Sequence, residues 1–164
     1  MSKLIGILKQ ADIFYQVTPV QMEMIAGLCE ERTYKQGEQI LAEGASSKDL
    51  YVILQGEVDI LVNPALVGDR SSVRGEVTIA TLRRGQCFGE VALVDEGVRS
   101  ASVRAASKET RLVLIPRDKL LMLCETYPML GYQLMFNLAA DLAMKIRNTD
   151  MRIRETLLYS RQKK

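Results

Sequence analysis

The chain has 164 residues, 48% hydrophobic and 26% charged, enough to bury one core and ordinary for a soluble globular protein. Its formal charge of +2 is too small to draw it to nucleic acid or another polyanion, and a single small anion suits it better. Three cysteines, Cys29, Cys87 and Cys124, are odd in number and lack CxxC spacing, which excludes a disulfide framework or a zinc site and points to a reducing cytoplasm.

The opening residues, Met1 to Leu8, carry an apolar patch broken by Lys9, Gln10 and Asp12. That patch is too short for a signal core or a membrane span, so neither export nor membrane anchoring is expected. Thr18-Pro19 reads as a helix cap and first-turn proline, with Met24, Ile25 and Leu28 at helical spacing, and places an N-terminal helix at about Val20 to Arg32, within bounds of 18–33. From Tyr34 to Ile115 short apolar runs are punctuated by Gly37, Gly44, Gly56, Gly68, Gly75, Gly85 and Gly97, the signature of a small all-β sandwich or barrel with positive-φ turns. Asn63 to Glu76 is a polar hairpin loop between two of these strands. After Pro116, a short helix covers Lys119 to Thr126, and a long one runs from about Met129 towards Tyr159.

Within the β segment, Gly85-Gln86-Cys87-Phe88-Gly89-Glu90-Val91-Ala92-Leu93, followed by Arg99-Ser100-Ala101-Ser102-Val103, reads as strand, helical turn and strand. Gly89 allows a tight turn, and the amides of Val91, Ala92 and Leu93 would face outward where peptide dipoles favour an anion. Arg99 can grip two phosphate oxygens in one plane, whereas the Glu90 carboxylate only accepts hydrogen bonds and suits a sugar hydroxyl. Cys87 beside this cradle reads as a small buried hydrophobe without redox function.

These residues, together with Tyr34 to Ile40, Glu43-Gly44 and Leu50 to Val58, resemble the cyclic nucleotide-binding domain family, whose phosphate-binding cassette has the form FGE-hydrophobic-A-L, a short loop, then R-[ST]-A-[ST]-V. The resemblance implies an α+β, mainly β fold: a jelly-roll-like antiparallel β-roll over 34–115 with the cassette at 85–103, flanked by the N-terminal helix and by C-terminal helices over 117–160, all within one domain, 1–164. It implies that Glu90 accepts the ribose 2′-hydroxyl and Arg99 neutralises the cyclic phosphate. Gly89, Val91, Ala92, Ser100 and Ala101 complete the anion site, and apolar Ile60 and Ile79 wall the base.

On the long helix, Leu134, Leu138, Leu142, Ile146, Thr149, Ile153 and Leu157 recur at spacings of three and four, a stripe longer than a small roll can cover. By resemblance to catabolite-activator-type members of the family, this helix lies across the base and pairs with its twin in a homodimer, and Thr149, with Asn148 beside it, meets the adenine amino group. Its basic end, Lys145, Arg147, Arg152, Arg154, Arg161, Lys163 and Lys164, reads as a solvated face. Those relatives continue into a helix-turn-helix that is not found here, so direct DNA binding is not expected.

The chain is thus expected to be a non-enzymatic cytoplasmic sensor of a cyclic nucleotide, cAMP with cGMP as the other possibility, using no cofactor or metal and signalling to an unidentified downstream protein. A cupin-like enzyme would share the strand pattern, but its metal draws mainly on histidine and the chain has none. A degenerate roll kept for protein contacts would be expected to lose Arg99 or Glu90, and both are present.

Overall fold

A computed structural model describes residues 2–64, 75–95 and 97–162. Eight antiparallel strands lie in two four-stranded sheets, β1 (Glu30–Lys35), β8 (Glu109–Ile115), β3 (Leu50–Gln55) and β6 (Cys87–Phe88) in one, and β2 (Gln39–Leu41), β7 (Ser102–Ala105), β4 (Glu57–Val62) and β5 (Val77–Arg83) in the other. Helices α1 (Ser2–Leu8), α2 (Pro19–Leu28), α3 (Arg117–Thr126) and α4 (Pro128–Gln162) flank the roll, with 3₁₀ turns at Asp12–Phe14 and Glu90–Leu93. The fold is the antiparallel β-roll with flanking helices that the cassette implied.

Two cores explain why β3 and β8 are nearly continuous apolar runs. Side chains alternate across a strand. Leu50, Val52 and Leu54 of β3, with Val113 and Ile115 of β8, meet Leu8, Phe14, Met22, Leu130, Leu134 and Leu138 in the helical core. The intervening Tyr51, Ile53, Leu112 and Leu114 fill the roll against Leu41, Val58, Phe88 and Val103. A strand buried on both faces carries no polar alternation, which is why periodicity alone does not separate it from a buried helix.

The N-terminal helix begins where its cap predicts. Thr18 Oγ1 accepts from the Gln21 amide and Gln21 Oε1 from the Thr18 amide, a capping box, with Pro19 in the first turn. Its end is earlier than expected: α2 stops at Leu28, and Glu30, Glu31 and Arg32 are not helical but form β1, paired with Leu114, Val113 and Leu112 of β8. Past Cys29, which packs on the helical core, Glu30, Glu31 and Arg32 are all charged, and the free edge of β8 takes their backbone instead. α1, which the opening apolar patch did not reveal, buries Ile7 and Leu8 in the helical core.

Positive φ is found at Gly37, Gly44, Gly56, Gly75, Gly85 and Gly89, but not at Gly97, while Gly68 and most of the Asn63–Glu76 loop lie outside the described residues.

α4 has two regimes. Leu130, Leu134 and Leu138 are fully buried, each worth about 1.5–3 kcal/mol of apolar transfer. Asn137, also buried, donates from Nδ2 to the carbonyls of Ile13 (3.1 Å) and Tyr15 (2.7 Å), fastening α4 to the turn before α2. Beyond Leu142 the apolar positions leave the roll: Ile146 is 62% and Ile153 52% exposed, and Thr149 is exposed. The expected single stripe is therefore divided. A repeat of four residues overshoots a helical turn by about 40° each time, so the Leu134-Leu138-Leu142-Ile146 series winds off the core. The Leu157 side chain lies outside the described residues. No described helix is long and apolar enough to cross a membrane.

Candidate functional site

A cavity of about 900 Å³ opens between the β4–β5 side of the roll, the Glu90–Leu93 turn and α4. Every candidate residue lines it: Ile60 and Ile79 from β4 and β5, Gly89, Glu90, Val91 and Ala92 from the turn, Arg99, Ser100 and Ala101 from the loop before β7, and Asn148 and Thr149 from α4.

The cradle is set from β3. β6 is only two residues long and pairs Phe88 with Tyr51, whose ring stacks on Phe88 at 5.0 Å between centroids, 3° from parallel. Gly89 then turns through φ +79° into the 3₁₀ turn. A Cβ at Gly89 would stand 2.8 Å from Arg99 Nη1 and 2.9 Å from the Asp49 carbonyl, so both conformation and space require glycine. The Ala92 amide donates to the Gly89 carbonyl at 3.3 Å and is not free for an anion as the sequence suggested. Closing i to i−3 leaves the amides of Glu90 and Val91 ahead of the turn's first bond.

Arg99 is 6% exposed and uses all three nitrogens: Nε donates to Ser47 Oγ (3.1 Å), Nη1 to the Gly89 carbonyl (3.1 Å) and Nη2 to the Asp49 carbonyl (2.7 Å). Its backbone is tied as firmly, donating to Ala45 and accepting from Gly44 at 2.8 Å each. Burial lowers the guanidinium's pKa from its ordinary value, opposed by Tyr51, Asp49 and Glu90. Arginine stays charged at neutral pH regardless, so the cavity holds a fixed, oriented cation with two further N–H donors.

Glu90 is 7% exposed, and its partner is not Arg99 but Lys145: Nζ lies 2.6 Å from Glu90 Oε1 and 2.8 Å from Asp141 Oδ2. Burial acts to lower the Lys145 pKa, but the Glu90 charge and the hydrogen bonds the ammonium donates to Asp141 and Glu90 outweigh it and hold the ammonium above its ordinary value. Lys145 is thus not part of a solvated basic face. Arg152 stays exposed, and its Nη1 donates to the Ile79 carbonyl at 2.8 Å, tying α4 to β5 across the cavity. Thr149 Oγ1 donates to the Lys145 carbonyl at 3.0 Å, so its lone pairs are left to accept.

Lys145, Asp141, Arg152, Ser47 and Asp49 are the site residues that sequence reading missed. Asp141 offered a signal: it falls on the Leu134–Leu138 side of α4, where an unpaired charge would be costly. Ser47 and Asp49 offered none, because loop residues acquire their role only from where β3 begins. Among the described residues no group of three or more His, Cys, Asp or Glu side chains is arranged to hold a metal ion.

Comparison with known proteins finds relatives of this chain in family, sequence and fold. A family model for the cyclic nucleotide-binding domain matches residues 31–127. The cyclic AMP receptor protein of Thermus thermophilus is 31% identical over 147 residues, 89% of this chain and 62% of the relative. A solved Thermus thermophilus catabolite activator protein superposes with a TM-score of 0.71 at 30% identity, covering 88% of this chain and 62% of that one. A cyclic nucleotide-binding domain from Methylobacillus flagellatus has the same fold, with a TM-score of 0.78 at 24% identity over 94% of this chain and 83% of its own. The chain spans 62% of the Thermus receptor and a smaller share, 24%, of the fission-yeast cAMP-dependent protein kinase regulatory subunit, to which it is 30% identical over 114 residues.

Proposed function

The chain belongs to the cyclic nucleotide-binding domain family, and on that premise we propose that its cavity binds cAMP reversibly, and cGMP more weakly, as a regulatory signal. One observation carries the reading: a single cavity contains a buried, three-point-anchored guanidinium and a buried carboxylate, with apolar walls at Ile60 and Ile79. Arg99 offers its remaining N–H groups to the cyclic phosphate, joined by the turn amides of Glu90 and Val91 and by Ser100. Glu90 accepts the ribose 2′-hydroxyl, and Ile60 and Ile79 flank the base. No bond is made or broken.

Preference for adenine follows from Thr149. Its hydroxyl proton is committed to the Lys145 carbonyl, so towards the cavity it acts as an acceptor. Such an acceptor suits the exocyclic amino group of adenine and repels the keto oxygen that guanine presents at the same place. The cGMP-dependent protein kinase of Eimeria tenella, 32% identical over 128 residues, keeps cGMP as the competitor to test. Calorimetry on protein verified free of carried-over nucleotide tests the proposal. Heat of binding with cAMP, weaker with cGMP, and neither ligand hydrolysed, is expected; no heat with millimolar cAMP would overturn it.

The output is α4. Ligand that engages Glu90 and Thr149 changes the contacts of the only described helix crossing the cavity, and shifts the equilibrium between two helix arrangements by its difference in affinity for them. We further propose a parallel homodimer through α4. Met129, Tyr132, Phe136, Ile146 and Ile153 are exposed at spacings of three, four or their sums, and a second copy of the same helix buries them self-complementarily. Three unpaired thiols support a cytoplasmic setting.

A further inference from the structure

The two carboxylates that share Lys145 belong to different bodies. Glu90 sits in the 3₁₀ turn of the roll, whereas Asp141 lies on α4 itself, one helical turn before Lys145. Both carboxylate side chains are 9% exposed against 38% for Lys145, so the pair of acids is more deeply buried than the cation they hold. Withdrawing one partner from a buried ion pair is costly because the remaining charge is left uncompensated. An ammonium leaving Glu90 alone would meet that cost. Asp141 removes the ammonium's share of it, since it moves with Lys145 on the same helix and remains paired wherever α4 goes, while the ribose hydroxyl takes the ammonium's place on Glu90.

Resting on the reading of the cavity as a cyclic nucleotide site, we infer that Asp141 is a positioning residue: it takes Lys145 over from Glu90 when a ribose hydroxyl engages Glu90, and so couples binding to detachment of α4. Nothing in the packing of α4 calls for a carboxylate there. Leu134 and Leu138 precede it on the core side, where an apolar residue would serve packing as well. A carboxylate serves the exchange of partners, because it is the one group that can hold the ammonium without the roll.

The test compares cAMP with 2′-deoxy-cAMP, which lacks the hydroxyl and leaves Lys145 on Glu90. Asp141→Asn removes the charge at constant shape and commits Lys145 to Glu90. It is expected to weaken cAMP about tenfold, the size of a coupling between contacting charged groups, and to leave 2′-deoxy-cAMP nearly unchanged. Asp141→Glu, which restores the charge, should recover most of the loss. A spin-label pair at Arg154 and Lys108, with native cysteines replaced, should show a smaller cAMP-induced distance change in Asp141→Asn than in the parent. Should Asp141→Asn fail to fold, Asp141→Ser carries the same comparison. Equal weakening of both nucleotides marks a packing role and overturns the inference, as does no change in either. A parent chain that binds neither nucleotide overturns the reading of the cavity itself, a distinct result.

Discussion

Arg99 is a structural tie as well as the proposed ligand donor, and substitution removes both roles together. Arg99→Ala leaves the Gly89 and Asp49 carbonyls without their donor and the phosphate without its cation. Loss of a partner from such a charged contact costs roughly 2–5 kcal/mol of binding. Calorimetry should therefore show cAMP binding lowered by more than an order of magnitude, with a lower melting temperature besides. Arg99→Lys should restore neither, since an ammonium lacks the planar fork that reaches Ser47, Gly89 and Asp49 together. Glu90→Ala should weaken binding less, because a hydrogen bond to a charged group contributes roughly 1.5–3 kcal/mol. Gly89→Ala should fail by a different route, forcing a Cβ against Arg99 Nη1 at positive φ, with about 1–3 kcal/mol of stability lost in chemical denaturation. The buried thiol of Cys87 gives a pH signature. Burial, against the pull of Lys145, pushes its pKa from the ordinary 9.0 up to about 12, and Cys29 moves likewise to about 12, by burial and the Glu31 charge. In the unfolded chain these thiols ionise at their ordinary pKa, so their stabilising effect is complete below 9.0 and is lost as pH rises towards 12. The raised Lys145 pKa acts in the same direction, losing its contribution as pH climbs through the folded value. Melting temperatures should fall on the alkaline side, less steeply in Cys29→Ala/Cys87→Ala.

At the scale of elements, α4 carries the proposed output and shows what the sequence made legible. Its anchoring half and its free half meet near Asp141, so Leu134→Ala should unfold the domain by about 2–5 kcal/mol in a denaturant melt. Ile153→Ala, half exposed, should leave the fold of the roll intact and act on assembly and ligand response. The cassette could be read from sequence because its residues are local: Phe88 to Arg99 fold on one another, and spacing carries the chemistry. The N-terminal helix was legible at Thr18-Pro19 because a cap is local too. Its end was not, because Glu30–Lys35 become a strand only through β8, eighty residues away in the chain. Lys145 was read as solvated for the same reason, its partner Glu90 being remote in sequence and near only once α4 crosses the cavity. Periodicity found the long helix but merged two of its faces, since a four-residue repeat drifts around the axis.

For the molecule as a whole, the proposed dimer makes a definite prediction. Light scattering should give twice the chain mass with and without cAMP, and spin labels at Arg154 of the two copies should change their separation on binding. A monomer in both states would remove the dimer, and unchanged distances would leave a binding module whose signal does not travel through this helix. The fastening of Asn137 to Ile13 and Tyr15 would set the scale of the proposed movement. If the proposed movement of α4 pivots there, the helix from Asn137 to Gln162 is a lever arm of about 38 Å, with Lys145 about 12 Å from the pivot. A rotation of about 10° that shifts Lys145 by about 2 Å then swings the far end by about 6–7 Å at 1.5 Å rise per residue. On that pivot a ligand would need to supply only a displacement of about 2 Å at Lys145, and the far end of the helix would amplify it roughly threefold.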